Sequence, residues 1–487
     1  MVALCSHINT RIKSNAILLP VAALLDQFKD PAAGGAHPLI QNFDLMYITT
    51  TIDRMPVAER LLLLPKLATD LSRHPNDHQQ RMLFHTLLRL LLHFVPPPRG
   101  SEDDTALREQ LFGDRQDDAE WIAAWVAKLM LLNLSSNLFG PEDSDRSSPG
   151  LSSADIDFLT LGRKKERFAP ATLLVETKVA ALNFLASGAF CDRDRYRAAL
   201  IASTDTNSLV VDPAQDLFKR SIATISLEDG SVVAELYSLL LGQPPAVPPA
   251  KLILQAKILG LLSKSCKATE APRKPEIEAI LKLGLETTYA RLRQAAFSFV
   301  AWVSRMAEPE LVDSLAPGAV ESLRYWLLSD QAAAATDDLR GYAYEALALL
   351  ASRCTHLVLE PNLGIVRFLF RQLRDDRGGV AVTIEGALGA ILTKIAREPL
   401  SGLTKAAMED LLLGVVVEEK RGAAQAVKWA GRLLSFGCPV GRWIGVLAVG
   451  MGGSVAEEGA KGACLLSCPV LSCVLRLCVS IDLLCPS

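Results

Sequence analysis

Aromatic residues make up only 6% of this 487-residue chain, and β-branched runs are few. Leu and Ala dominate instead, which excludes a strand-built core as the first reading and favours helices. Excess charge is also missing: the formal net charge is −3, so the chain lacks the basic footprint of a nucleic-acid binder. Outside the last 25 residues cysteine is sparse, at Cys5, Cys191, Cys266, Cys354 and Cys438. Such scattered thiols suit a reducing compartment. The first residues, "MVALCSHINTRIKSNAILLP", show no basic leader followed by an apolar stretch of secretory length. The expected location is therefore the cytoplasm and nucleus.

Recognisable chemistry is missing too. Phosphate loops, dinucleotide fingerprints, helical zinc motifs and nucleophile elbows are not found. "GMGGS" at Gly450 to Ser454 lacks both the Gly-Lys-Ser/Thr of a phosphate loop and the strand that precedes a dinucleotide turn. Of seven histidines, His74, His78, His85 and His93 cluster, with His78, His85 and His93 spaced to share a helical face. No carboxylate or Cys completes a metal set beside them, and their helix is otherwise Leu-rich. The expectation is a non-enzyme with no catalytic, cofactor-binding or metal residues.

What the chain has is apolar bulk, at 50%, arranged with helical period. In "TTYARLRQAAFSFVAWVSRM" one face collects Leu292, Ala295, Ala296, Phe299, Trp302, Val303 and Met306. "DDLRGYAYEALALLASR" repeats the design with Leu339, Tyr342, Ala343, Ala346, Leu347 and Leu350, after Asp337 and Asp338, which suit a helix start. Leu292, Arg293 and Ala296 recur 47 residues later as Leu339, Arg340 and Ala343; Ala346 and Leu347 recur 41 later as Ala387 and Leu388. Arg421, Gly422 and Ala424 echo Arg340, Gly341 and Ala343 about two repeats on.

A period of this size marks helical hairpins of the HEAT or armadillo type. First helices are expected in "GAVESLRYWLLS", "GIVRFLFRQLR" and "TKAAMEDLLLGV", and less regular hairpins in "LIQNFDLMYITTTID" with "PVAERLLLLPKLATDLS", then "HQQRMLFHTLLRLLLHFV", with Pro56 at a helix start. The predicted fold is all-α: an α-solenoid, or superhelix, over residues 1–462, with polar loops at about 96–118 and 135–153. Recurrent Arg293, Arg340 and Arg421 are expected to form a ladder with acidic turn residues of neighbouring repeats, a phosphate or acidic-partner site being the sharper alternative.

Several stretches go beyond generic repeat character: "HINTRIKSNAILLPVAALLDQFKDPAA", "IQNFDLMYITTTIDRMPVAER", "TLLVETKVAALNFLASGAF", "ALIASTDTNSLVVDPAQDLFKR", "EEKRGAAQAVKWAGRLL" and "GRWIGVLAVG…SVAEEGAKG". In this order, from residue 3 to 462, the chain resembles the N-terminal part of the proteasome-associated HEAT-repeat adaptor and scaffold family, the proteasome components of the ECM type. The resemblance implies a protein that binds the proteasome regulatory and core particles, steadies their association and assists assembly quality control. The residues by themselves support a helical-repeat interaction protein, and a transport or trafficking scaffold unrelated to the proteasome is the alternative. Membrane contact is not expected of the solenoid.

The chain departs from the family pattern at both ends. "VALCSHINTRIK" resembles the end of a repeat whose earlier helices are missing, which suggests that Met1 is an internal or mis-assigned start. The resemblance stops at about Gly462, where Cys464, Cys468, Cys473, Cys478 and Cys485 begin to accumulate. Their gaps fit no closed zinc site, and Arg476, Asp482 and Pro469 interrupt the apolar run. Residues 463–487 are read as a non-native Cys-rich tail from intron or shifted-frame translation.

Overall fold

The computed structural model describes residues 21–29, 51–52, 55–73, 77–132, 149–160, 171–359, 363–375 and 380–397. Among these residues the regular structure is helical, with one isolated bridge between Gln243 and Val247. The tail 463–487, His74, Arg421, Gly450 to Ser454 and most of the expected loop at 135–153 lie outside the described residues. The chain divides into two compact units, Met1–Gln255 and Ala256–Ser487.

The first unit is built from α1 (Asp77–Leu91), α2 (Glu102–Leu111), α3 (Gln116–Leu131), α4 (Ser153–Thr160), α5 (Ala171–Ala186), α6 (Asp192–Ala202), α7 (Ser208–Thr224) and α8 (Gly230–Leu241). Two short helices, Val57–Leu61 and Leu64–Ala68, precede them, and Pro56 stands at the N-cap of the first as expected. Helix α5 packs on α6, and this hairpin stacks through α1 against α5 and through α3 against α6. Stacking like on like is what lets each hairpin bury the apolar face it cannot bury alone. Phe84, Phe184, Phe190 and Tyr196 are fully buried there, and Phe184 meets Phe94 and Phe190 edge to face at 5.3 and 5.0 Å. Edge-to-face pairs add about 0.5–1.5 kcal/mol each beyond the area they bury.

The expected loop at 96–118 is corrected by α2. Its charge is a helix-start signal: Ser101 Oγ accepts the Asp104 N–H at 3.2 Å, and Glu102, Asp103 and Asp104 fill the first turn while Arg108 sits in the last. Acids at the positive end and a base at the negative end complement the peptide dipoles. Leu107, Leu111 and Phe112 supply the buried face, with Phe112 against Phe190 at 5.5 Å. Asp118, read as part of the same charged excursion, is buried; its carboxylate accepts from the Asp70 and Ser72 amides at 2.8 and 2.9 Å, closing a turn in which Asp70 has φ +61°.

The second unit contains α9 (Lys274–Glu286), α10 (Ala290–Met306), α11 (Pro309–Leu327), α12 (Asp337–Arg353), α13 (Gly364–Asp375) and α14 (Ala381–Arg397). They pair as α9 with α10, α11 with α12 and α13 with α14, while α10, α12 and α14 form one stacked row and α9 packs on α11. This is the α-solenoid arrangement of HEAT-type hairpins. The stacked helices begin at Ala290, Asp337 and Ala381, 47 and 44 residues apart. Of the apolar stripe read on α10, Leu292, Ala296, Phe299 and Val303 are buried, Ala295 and Trp302 half-buried and Met306 exposed, and Phe297, Val300 and Ala301 are buried beside it. A helix with a partner hairpin on each side buries more than one stripe. The expected first helices "GAVESLRYWLLS" and "GIVRFLFRQLR" lie within α11 and α13; "TKAAMEDLLLGV" falls outside the described residues.

Candidate functional site

Among the described residues no group of three or more His, Cys, Asp or Glu converges on a metal position, and no helix is long and apolar enough to cross a membrane. The histidines of α1 take local partners. His78 Nδ1 lies 3.1 Å from Arg81, and burial followed by the Arg81 charge lowers its pKa. His85 Nε2 lies 3.0 Å from the Phe158 carbonyl. Its ring meets Phe84 edge to face, and Phe84 in turn meets Trp121, Trp125 and Phe158, with Trp125 and Phe158 stacked at 3.6 Å. A ring nitrogen engaged by a carbonyl inside an aromatic cluster serves packing.

Polar chemistry concentrates instead at the junctions between hairpins of the first unit. Lys178 on α5 donates to Asp205 Oδ2 at 2.7 Å and to the Met130 carbonyl at 3.1 Å, and both charged side chains are buried, 3% and 6% exposed. Burial lowers the Lys178 pKa and the Asp205 pairing opposes it. For Asp205 burial pushes upward, but the Lys178 hydrogen bond and charge outweigh it and hold the carboxyl below its ordinary range. Nearby, Arg193 donates to both oxygens of Glu235, at 2.7 and 3.2 Å, and to the Tyr196 hydroxyl at 2.9 Å, while Tyr196 also donates to Glu235. This forked network ties α6 to α8.

The arginines expected as a ladder behave differently from one another. Arg293, the fourth residue of α10, is buried and reaches back to the Gly284 carbonyl at 3.0 Å and to the Thr287 carbonyl, with Gln331 Oε1 at 2.9 Å and the Trp326 ring at 5.1 Å. Arg340, the fourth residue of α12, pairs with Asp337 on its own helix. The expected link to acidic turn residues of the next repeat is therefore corrected: Arg293 satisfies neutral carbonyls left over at the end of α9. Sequence reading missed a third member, Arg195, the fourth residue of α6, which donates to the Ser187 carbonyl at 2.8 Å and to that of Phe190. Its signal was position within the helix, because flanking residues differ. Repeat-to-repeat contact in the second unit comes from Arg353, which donates to the Ser304, Arg305 and Ala307 carbonyls at 3.0, 3.2 and 3.1 Å, and from Arg305 with Glu345.

Among the described residues, both units also carry apolar groups that face outward. In the second unit a groove of about 390 Å³ runs between α9 and α11. Its floor is Ile277, Leu281, Leu285, Val300, Val303, Leu315 and Leu350; Glu278, Lys282 and Glu286 edge one side and Ser314, Gly318 and Ser322 the other. In the first unit Leu209, Leu252 and Ile253 are exposed aliphatic side chains. Neither surface assembles a nucleophile with a base; both suit contact with another protein.

Comparison with known proteins adds the following. The family described as "Proteasome component ECM29, N-terminal" matches residues 1–448. Relatives include the proteasome component ECM29 of Saccharomyces cerevisiae, 27% identical over 81% of this chain and 22% of that protein. The proteasome adapter and scaffold protein ECM29 of Homo sapiens is 23% identical over 91% of this chain and 25% of that protein. The proteasome-associated protein ECM29 homolog of Drosophila melanogaster is 27% identical over 50% and 12%. The chain thus spans about a quarter or less of the length of these relatives. Among solved structures, importin beta aligns at 13% identity over 85% of this chain and 50% of that one, with a TM-score of 0.32.

Proposed function

Since the chain belongs to the proteasome component ECM29 family, whose N-terminal region its residues 1–448 match, we propose that it is a non-enzymatic scaffold module that binds the proteasome. In this reading it contacts the regulatory and core particles, stabilises their association and assists assembly quality control, in the cytoplasm and nucleus. The observation that carries the reading is the family match, joined by relatives named as proteasome components, adapters and scaffolds. The fold supports it, because stacked hairpins give a long surface and touch a large partner at separated points. The chemistry supports it as well: the buried charges are consumed in holding hairpins together, and the open surfaces carry aliphatic groups.

Affinity purification of the tagged chain from cells, with quantitative mass spectrometry of regulatory-particle and core-particle subunits, tests the reading. Enrichment of both particles is expected, together with an increased fraction of joined particles on native gels. Recovery of neither particle, under conditions that keep proteasomes intact and again after they are disassembled, overturns it. Fractionation of the same cells should place the chain in both cytoplasm and nucleus.

A further inference from the structure

On one face of α3, Trp121, Trp125 and Lys128 follow one another at helical spacing, and both indole rings are half-buried rather than sunk in the core. Lys128 Nζ lies 4.2 Å over the Trp125 ring. Beside them on α1 stand Arg81 and His85, one turn apart, and the buried Phe84 closes the floor against both tryptophans. Together they make an aromatic strip with bases along its edges. Half-covered tryptophans next to cations are the residues from which protein contact sites are built.

Helix α4 lies on this strip, and its contacts display what the strip accepts. Asp155 takes Lys128 Nζ at 2.6 Å; three residues on, the Phe158 ring stacks on Trp125 at 3.6 Å and meets Trp121 edge to face at 6.2 Å. At the C-terminal end, where the peptide dipoles favour a cation, the Asp157 carbonyl accepts from Arg81 at 3.3 Å and the Phe158 carbonyl lies 3.0 Å from His85 Nε2. Yet α4 is thinly held. Of its eight residues only Phe158 and Leu159 are buried, against nine of sixteen in α3, and two turns of helix do not stand alone in water. The chain before α4 is anchored separately, by the Gly150 N–H on the Pro248 carbonyl at 3.1 Å, and residues 161–170 join α4 to α5. With about 3.3 Å for each extended residue, α4 has chain enough to lift off while its neighbours stay in place.

We infer that the strip on α1 and α3 is a docking site for a short helical segment of a partner protein with the pattern Asp-x-x-Phe-Leu, and that α4 fills it in cis until such a segment displaces it. The partner's carboxylate pairs with Lys128, its Phe stacks on Trp125, and its last carbonyls face Arg81 and His85. The argument for this occupant is α4 itself, which shows group by group what the strip holds. A tethered segment acts at about millimolar effective concentration, so a partner competes once its other contacts hold its own segment equally near. A second copy of the chain would bring the same α4, but that helix is continuous with α3 and α5, and an exchange would have to pass both connections at once. Nucleic acid offers no carboxylate for Lys128 and needs a row of cations for its phosphates. The inference goes beyond the scaffold reading and does not depend on which assembly the chain binds.

The test uses the full 487-residue chain and fluorescence anisotropy with a fluorescein-labelled peptide LSSADIDFLT, the sequence of residues 151–160. A chain carrying Asp155→Asn with Phe158→Ser has its strip freed and should bind the peptide saturably. The parent should bind it about tenfold more weakly, because only its open fraction is competent. In the freed chain Lys128→Asp should weaken the peptide about tenfold, the scale of one charge-assisted hydrogen bond, and a peptide with Asp155→Lys should restore the affinity. In the parent, with no substitution at all, amide hydrogens of α4 should exchange about tenfold faster than those of α3. The inference is overturned by absence of binding to a freed chain whose circular dichroism is that of the parent, by equal affinity for parent and freed chain, or by failure of the charge swap. Exchange in α4 as slow as in α3 overturns it too. So does a dimer, seen by light scattering, that the parent forms and the freed chain does not, which would make a second copy the occupant.

Discussion

The two units join one hairpin to the next with different balances: the first buries an ion pair, and the second sets the more exposed contacts of Arg353 and Arg305 beside apolar stacking. In the first, charge is taken inside: Lys178 with Asp205, Asp118 on a turn and Asp104 on Gly188, while the half-exposed Arg193 forks onto Glu235 and Tyr196. In the second, α10, α12 and α14 stack largely through Ala, Leu, Phe and Val, and the buried cation, Arg293, meets neutral carbonyls and an amide. Irregular hairpins leave backbone groups and gaps that regular stacking would not, and polar side chains fill them. A buried ion pair adds little net stability but fixes where its two elements sit, so the first unit trades robustness for a defined register.

Removing one member of such a pair should give the largest effect. Lys178→Met removes the partner that holds Asp205 at 2.7 Å, leaving it the Asn207 amide and the more distant Lys251 charge, and is expected to destabilise by about 3 kcal/mol in urea unfolding. Hydrogen exchange should rise in α5 and α6 and not in α10 to α14. The double variant Lys178→Met with Asp205→Leu should recover much of the loss, since an apolar pair carries no stranded charge. The pair also sets a pH signature. Asp205 has a lowered folded pKa, so its stabilisation is complete above the ordinary carboxylate value of 3.8 and is lost as pH falls through the lower folded value. Acid titration of the parent should therefore show unit-one exchange rising below about pH 4, and the double variant should lack that step.

Glycine positions sharpen the contrast at a smaller scale. A Cβ at Gly188 would lie 2.0 Å from the Asp104 carbonyl oxygen, which is backbone and which Gly188 already approaches to donate its N–H to Asp104 Oδ1 at 2.6 Å. A Cβ at Gly284 would meet the Ala296 side chain at 2.6 Å. Both are close approaches held by a polar contact, since the Gly284 carbonyl accepts from Arg293 at 3.0 Å, but the first meets rigid backbone and the second the methyl of Ala296. Gly188→Ala should cost about 3 kcal/mol and Gly284→Ala about 1–2, read as shifts in the urea midpoint. Equal losses would dissolve the distinction between the units.

The same contrast explains what was legible in the sequence. The second unit is legible in its sequence: its helices begin at nearly the expected interval, and of its predicted stripe Leu339, Ala343, Ala346, Leu347 and Leu350 are buried and Tyr342 half-buried. Apolar periodicity is a local property, so it survives in one dimension. The first unit was read poorly because its determinants are long-range. Nothing near Asp104 announces Gly188, 84 positions away, and nothing near Lys178 announces Asp205. The acids of α2 were taken for loop charge because a capped, acid-first helix and a solvated turn share a composition.

Arg293 and Arg340 occupy the same helical position and should part by a middling amount. Arg293→Ala removes bonds to two carbonyls and Gln331 and the contact with Trp326, and is expected to cost about 2 kcal/mol, with Arg293→Lys recovering less than half because an ammonium lacks the fork. Arg340→Ala breaks a pair whose Asp337 side chain is exposed, and should cost about 0.5 kcal/mol or less. Arg195→Ala in the first unit should follow Arg293, since it also caps carbonyls from inside.

The smallest effect is a rate, and it falls where the units agree. Each carries one thiol bonded to a carboxylate at a helix end: Cys191 donates to Asp194 at 2.9 Å before α6, and Cys354 to Asp313 at 3.1 Å after α12. Burial first, then the neighbouring carboxylate, raises both thiols, Cys354 up to about 12. A thiol that resists ionisation is a slow nucleophile. With peptide-resolved mass spectrometry and iodoacetamide at pH 8, the exposed Cys266 should alkylate first, Cys191 more slowly and the buried Cys354 last. Asp313→Asn should quicken Cys354 only slightly, because burial is the larger cause and remains. A large acceleration would mean that the carboxylate, and not burial, is what keeps the Cys354 thiol protonated.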